Sequence, residues 1–218
     1  MPQPIRKLCE VYLTGLDNRP EHAAALGRVV GISGKLENSL GWLLTLFSGG
    51  YAQTTTAIFH SVISADAQRA MLQAAAEQSL SSVELEAFNV LMEDFRPRYG
   101  ERNRLVHNLW GHSDAHPDKA IWCKSSDWAK HWAGINTAIH TQTAYTFGDI
   151  SLKCVTYTVK DIDDVAKRLS SYFDRVGEFM RDLMESRGPT PIASAAQGAA
   201  PDSELPLEVH PRPQTEKE

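Results

Sequence analysis

Hydrophobic positions spaced three and four apart dominate this chain. From Glu21 to Phe47, apolar residues recur at Val29, Ile32, Leu36, Leu40, Leu43 and Phe47, one buried face of a helix. Asn18-Arg19-Pro20-Glu21 supplies its start, with a polar cap, a proline in the first turn and an acid at the positive end of the dipole. Gly27, Gly31, Gly34 and Gly41 weaken the helix locally and leave room for close approach of another helix. Ser48-Gly49-Gly50 ends it.

A second helical region opens near Thr54, breaks at the cap-like Ser64 and continues on a weak stripe of Ala67, Met71, Ala74 and Gln78. Ser81-x-x-Glu84 is a capping box that opens a third helix, Val83 to about Trp110. Its core face is Phe88, Leu91, Phe95, Tyr99, Val106 and Leu109, with a bend expected at Pro97. Gly111 to Asp149 is rich in rings and weak in period. Ala120 to Lys124 suits a short strand, and Asp127 suits the cap of a helix carrying Trp128, Trp132, Ile135 and Ile139. Ser151 to Val159 alternates and predicts a strand. Thr158-x-x-Asp161 then starts a helix with the cleanest stripe of the chain: Ile162, Val165, Leu169, Tyr172, Val176, Met180 and Leu183.

These elements predict a mainly α protein, a bundle of four to five helices with a small β-containing insert at about 111–159. An N-terminal arm, 1–20, precedes the helical domain, 21–187. The Pro-, Ala- and Glu-rich segment 188–218 reads as a disordered tail. The length of 218 residues suffices for a core without disulfides or metal. The formal charge is −5, of which the segment after Gly188 holds −3, so the body is near neutral and does not read as a general nucleic-acid coat. Cys9, Cys123 and Cys154 form no Cys-x-x-Cys pair and read as free thiols of a reducing compartment. The start of the chain lacks the apolar run of a signal peptide, and the longest apolar stretch, Leu40 to Phe47, is too short to span a bilayer. A cytoplasmic protein without membrane partners is expected.

Candidate chemistry lies in Tyr99 to His112, YGERNRLVHNLWGH. Arg102 occupies a position where the helical stripe calls for an apolar residue. Asn103 follows it, and His107 lies one turn beyond Asn103 on the same side. Arg102 and His107 are about 140° apart around an ideal helix, but the long arginine can curl back over Asn103. The three line one polar arc beside the core face. A histidine titrates near neutrality and suits general acid–base work. A guanidinium suits a phosphate and the charge that builds on it. Arg96, Arg98 and Arg104 add local positive charge.

Each residue has a plainer reading beside this one. Arg102 pairs with Glu93, Asp94 or another buried acid, His107 is a helix-end histidine, and the other arginines form a solvated face. The spacing of His107, His112 and His116 matches no closed zinc pattern, so no metal or cofactor is expected. Trp110, Trp122, Trp128 and Trp132 read as core and interface rather than base-stacking platforms.

The motif Arg102-Asn103-Arg104-Leu105-Val106-His107 resembles that of the HEPN superfamily, compact helical bundles whose ribonuclease members carry an arginine, often a polar residue directly after it, and a histidine four to six residues on. The resemblance covers roughly Glu21 to Arg187. The insert from Gly111 to Val159 is longer than a minimal bundle needs. What the resemblance implies is metal-independent RNA cleavage by Arg102, Asn103 and His107, a homodimer in which two motifs meet, an RNA substrate held in part by Arg96, Arg98 and Arg104, and a toxin or phage-defence setting with an antitoxin or other protein partner. Two other classes remain open: a non-catalytic HEPN-like module that binds nucleotide, RNA or protein, and a helical oligomerisation module with no ligand. RNA cleavage needs Arg102 and His107 in one open cleft, and the binding module allows the cleft without both groups reaching one phosphate. The oligomerisation module needs Arg102 ion-paired and His107 buried.

Overall fold

Sequence and structure agree best on the two longest helices. In a computed structural model that describes residues 1–143 and 147–187, the first helix, α1, spans Pro20–Ser48 and the last, α7, spans Val159–Arg187. Val29, Leu36, Leu40, Leu43 and Phe47 of α1 are buried, as are Ile162, Val165, Leu169, Tyr172, Val176 and Leu183 of α7, because both stripes hold a single helical period. Between them run α2 (Ala52–Ser61), α3 (Ala65–Ser79), α4 (Ser82–Glu93), α5 (Phe95–Val106) and α6 (Ser125–Thr141). Four short strands complete the described chain: β1 (Gln3–Pro4), β2 (Leu109–Gly111), β3 (Ala120–Cys123) and β4 (Val155–Tyr157), with a 3-10 turn at Phe147–Lys153. The protein is mainly α with a small sheet. Met1–Leu183 forms one unit; of the second, from Met184 on, only the final residues of α7 are described. The expected disordered tail lies outside the described residues.

The described residues form more helices than the expected four to five because the breaks between them are sharp. Ser64 caps α3 by accepting from the Ala67 amide, and the Ser81–Glu84 capping box opens α4 as its sequence predicts. The third predicted helix does not bend at Pro97; it divides at Asp94. Pro97 then falls in the first turn of α5, where a missing N–H costs nothing. That helix also stops at Val106 rather than Trp110, and Leu109–Gly111 turns into strand. Leu105, not Val106, is the buried residue of its last turn. In α3 the buried positions are Gln68, Leu72 and Ala76, one step from the predicted stripe. Gln68 goes inside because its side-chain amide donates to the Val62 carbonyl, left free between α2 and α3, at 2.9 Å. In α6 the buried set is His131, Ile135 and Ala138, since His131 stacks on Trp128, leaving Trp132 and Ile139 exposed. α1 starts with Arg19 at the cap position and no side-chain cap. Of its four glycines, Gly41 packs against Thr56 and Phe59 of α2, while Gly27, Gly31 and Gly34 face open space.

The sheet is antiparallel in the order β1-β4-β3-β2, with Trp110 opposite Trp122 and Ile121 opposite Thr156. Of the predicted strand Ser151–Val159, only Val155–Tyr157 is extended. Ser151–Lys153 belongs to the 3-10 turn, and Thr158 with Asp161 caps α7, the Thr158 hydroxyl accepting from the Asp161 amide. Alternation along β3 splits the interior in two. Ala120 and Trp122 join the helical core with Trp110 and Tyr157. Ile121 and Cys123 face a smaller cluster with Ile5, Ile150 and Cys154.

The N-terminal arm covers that second face. Gln3 and Pro4 pair with β4 on one edge of the sheet. Ile5, Cys9, Val11 and Leu13 pack on the smaller cluster. Tyr12 then bridges His112 beyond β2 on the other edge, and the Gly15 amide donates to the Trp110 carbonyl. One arm thus closes both edges, which otherwise present unpaired backbone groups. The crossing is tight: a Cβ on Gly111 would lie 2.0 Å from the Tyr12 carbonyl oxygen. No described helix is long and apolar enough to cross a membrane.

Candidate active site

The site is built on the end of α5. Phe95 and Tyr99 stack at 4.4 Å in the core and fix the helix against its neighbours. The next inward position is Arg102. Its stem packs among Ser33, Leu36 and Glu37 of α1, Tyr99, and Leu169 of α7, in a space too tight for a water molecule. Its Nε is buried without a hydrogen-bond partner among the described residues, and so is the Tyr99 hydroxyl. Burial pushes the Tyr99 phenol well above its ordinary range and keeps it neutral. Leaving a charged donor desolvated costs on the order of 1–3 kcal/mol, so the position is held by the packing around it. Glu37 is the acid beside Arg102, at 3.8 Å from Nη2, rather than Glu93 or Asp94, the two the sequence named beside the general case of another acid.

The far end of the guanidinium carries the chemistry. Arg102 Nη1 donates to Asn103 Oδ1 at 2.9 Å and lies 2.9 Å from His107 Nε2. The arginine curls back over Asn103 and closes the angle between positions 102 and 107. A guanidinium only donates, so His107 Nε2 accepts and the imidazole proton sits on Nδ1. Asn103 and His107 are exposed. Arg102 thus has an acid nearby while His107 is not buried.

His107 is held by a set of bonds that end the helix. Its amide donates to the Asn103 carbonyl at 3.1 Å. The last carbonyls of α5 then find side-chain donors in place of helical ones. The Trp122 indole donates to the Arg104 carbonyl at 2.7 Å, and the Trp110 indole to the Leu105 carbonyl at 2.8 Å. Asn108 Nδ2 also donates to the Arg104 carbonyl, at 2.8 Å. Asn108 Oδ1 accepts from the Ser125 amide at 3.1 Å, and Ser125 Oγ donates to the His107 carbonyl at 3.2 Å. The start of α6 is thereby tied to the end of α5, with Asn108 in the capping role expected of Asp127.

Trp110, Trp122, Asn108, Ser125 and Glu37 are the positioning residues that sequence reading missed. The density of rings after Gly111 was the available signal, and Trp110 and Trp122 do lie in the core as expected. Their indole partners 5 and 18 residues away are set by strand pairing.

The flanking arginines do not converge on this arc. Arg96 pairs with Asp66 of α3 at 2.9 Å. Arg98 lies between Asp94 and Glu101, at 3.1 and 2.9 Å. Those two acids also take Arg175 and Arg168 of α7. Arg104 reaches the Tyr157 hydroxyl and makes no ion pair among the described residues. Among the described residues no group of three His, Cys, Asp or Glu side chains could hold a metal ion. Comparison with protein-family models, curated proteins and solved structures finds no match to this chain.

Proposed function

We propose that this chain is a metal-independent endoribonuclease of the HEPN type, with Arg102, Asn103 and His107 as its catalytic residues. The observation that carries the reading is the 2.9 Å approach of Arg102 Nη1 to His107 Nε2 at an exposed helix end. It sets a cation and a neutral imidazole lone pair within reach of one phosphodiester. A bound phosphate draws the guanidinium onto its oxygens and frees Nε2. His107 then takes the proton of the ribose 2′-OH. The 2′ oxygen attacks phosphorus and the bond to the 5′ oxygen breaks, giving a 2′,3′-cyclic phosphate. The leaving oxygen takes a proton from solvent or from a second motif. Arg102 stabilises the charge on the phosphoryl oxygens, and Asn103 orients the guanidinium. Arg104, without an acid partner among the described residues, is the flanking arginine best placed to reach a phosphate; Arg96 and Arg98 contribute by exchanging their acids for phosphate.

A homodimer belongs to this reading. The outer face of α1 exposes Val30 and Trp42, and Gly27, Gly31 and Gly34 leave open space beside them for a second copy to approach. A strictly monomeric mass by light scattering at tens of micromolar would remove the two-motif site. The setting that fits is a cytoplasmic toxin or defence nuclease restrained by a protein partner. The Glu37–Arg102 proximity favours a second reading, a HEPN-like module that binds RNA or nucleotide without cutting, because it offsets the cation before substrate arrives.

The test is cleavage of several single-stranded RNAs in EDTA by the wild type, His107→Ala and Arg102→Ala, with end-group analysis. Cyclic phosphate ends and loss of activity in both variants are expected, with DNA intact. Equal activity in all three, a strict metal requirement or comparable cutting of DNA overturns the mechanism. Binding without cleavage selects the second reading.

A further inference from the structure

The arginines beside the motif are largely matched by acids, yet another group of cations is not. Arg6 and Lys7 of the arm and Lys119 of the β2–β3 turn line a groove of about 590 Å³ with Gln3, Pro4, Ile5, His116 and Thr156. Its lining contains no acid. None of the three cations makes an ion pair with another described residue; Arg104, Lys35, Lys130 and Lys167 make none either, but only Arg6, Lys7 and Lys119 come together to line this one groove. Arg19 adds charge nearby, its Nε donating to the Lys119 carbonyl at 3.4 Å. The arm that carries Arg6 and Lys7 is fixed in place, since β1 pairs with β4 and the Ile5 amide donates to the Cys154 carbonyl at 3.2 Å. The groove is therefore a built feature of the sheet edge rather than a chance meeting of long side chains. Three cations held within one concavity repel each other, and an anion removes that cost.

We infer that this groove binds the phosphodiester backbone of single-stranded RNA, at phosphates other than the one that is cut. The occupant is chosen by the charge balance of the lining and by its polar makeup. Lysines, an arginine and a histidine grip phosphates, and no exposed aromatic lines the groove to stack a base. Lys119 lies four residues before Cys123, the residue opposite Leu109 at the end of the hairpin nearer the motif. At ~3.4 Å per residue that is about 14 Å, the length of a few nucleotides. The inference rests on the proposed RNA substrate, but its test does not use cleavage.

The measurement is fluorescence anisotropy of a labelled 2′-O-methyl U12 strand, which cannot be cut, titrated with the full chain over a range of salt. The triple variant Arg6→Gln/Lys7→Gln/Lys119→Gln is expected to bind about tenfold more weakly at 50 mM salt. Its log–log salt slope should fall by about two, at roughly 0.7 per phosphate no longer neutralised. A control triple variant of equal charge change, Lys35→Gln/Lys130→Gln/Lys167→Gln, should bind as the wild type does. Single-stranded DNA of the same length should bind within a few-fold of RNA, since phosphates are gripped and the 2′-OH is not read. Circular dichroism confirms folding, and the double variant Lys7→Gln/Lys119→Gln gives an intermediate loss where the triple one is poorly folded. Equal loss in the control, an unchanged salt slope, or no binding of either strand by the wild type overturns the inference. The last outcome points to an acidic protein as the occupant. A chain that cuts RNA but binds U12 equally with and without the three cations keeps its proposed activity and loses this groove.

Discussion

The two ends of the β2–β3 hairpin treat charge and hydrogen bonding in opposite ways. At the end beside α5, the last helix carbonyls are matched by side-chain donors. Two indoles and an asparagine take them, and at the start of the same helix Arg96 and Arg98 each have an acid. At the turn end, the arm crosses tightly over Gly111 while Arg6, Lys7 and Lys119 stay without acids among the described residues. Most basic residues near the motif in sequence are thus matched, Arg104 being the exception among the described residues. Acids of the same helix (for Arg98) or of a packed one (for Arg96) neutralise them, whereas Arg6, Lys7 and Lys119 share one concavity with no acid in its lining. An exposed ion pair contributes about 0–1 kcal/mol, so matched arginines chiefly fix geometry.

The largest expected effect is at the matched end. His107→Ala and Arg102→Ala should each lower RNA cleavage by about 10²-fold or more, with melting temperature nearly unchanged for His107→Ala, an exposed residue. Rates and thermal melts of both proteins check this. Gly111→Ala comes next, at the turn end. The new Cβ overlaps backbone rather than a movable side chain, so the arm must shift, and stability should fall by about 1–3 kcal/mol in urea unfolding. Weaker binding of U12 by the same variant would tie the arm to the groove.

Trp122→Phe removes an indole N–H while keeping a ring. The Arg104 carbonyl retains Asn108 as a donor, so we expect a loss of about 1 kcal/mol from the hydrogen bond. A larger fractional fall in cleavage than in folded fraction would show that the indole positions His107. Arg96→Gln should be the quietest change of side chain, within about 0.5 kcal/mol, because both partners of its ion pair are well exposed.

The smallest effect is a pH dependence. Burial, ahead of the opposing pull of the Tyr157 carbonyl, lowers the pKa of His22, whose Nε2–H donates to that carbonyl at 3.1 Å. The unfolded state therefore binds the proton first. The stability that neutral His22 gives is complete above the ordinary histidine range, near 6.5, and declines as pH falls below it. Melting curves between pH 7.5 and 5.5 should show wild type losing more than His22→Gln.

The mainly α class, the bounds of α1 and α7 to within a few residues, and the caps at Ser64, Ser81 and Thr158 were all legible in the residues themselves. Those features depend on local period and on side chains bonding their own neighbours. The same local rule put Arg102, Asn103 and His107 on one arc, since about four residues make a helical turn. Where α5 stops was not legible. Trp122 caps its carbonyl from 18 residues away, and strand register, a long-range property, sets that approach. Nor could the chain alone show which cations are free. An arginine's position in sequence shows its charge, but the acid that matches it can come from another helix, as Asp66 of α3 does for Arg96, and the groove joins Arg6 and Lys7 to Lys119 across more than a hundred residues.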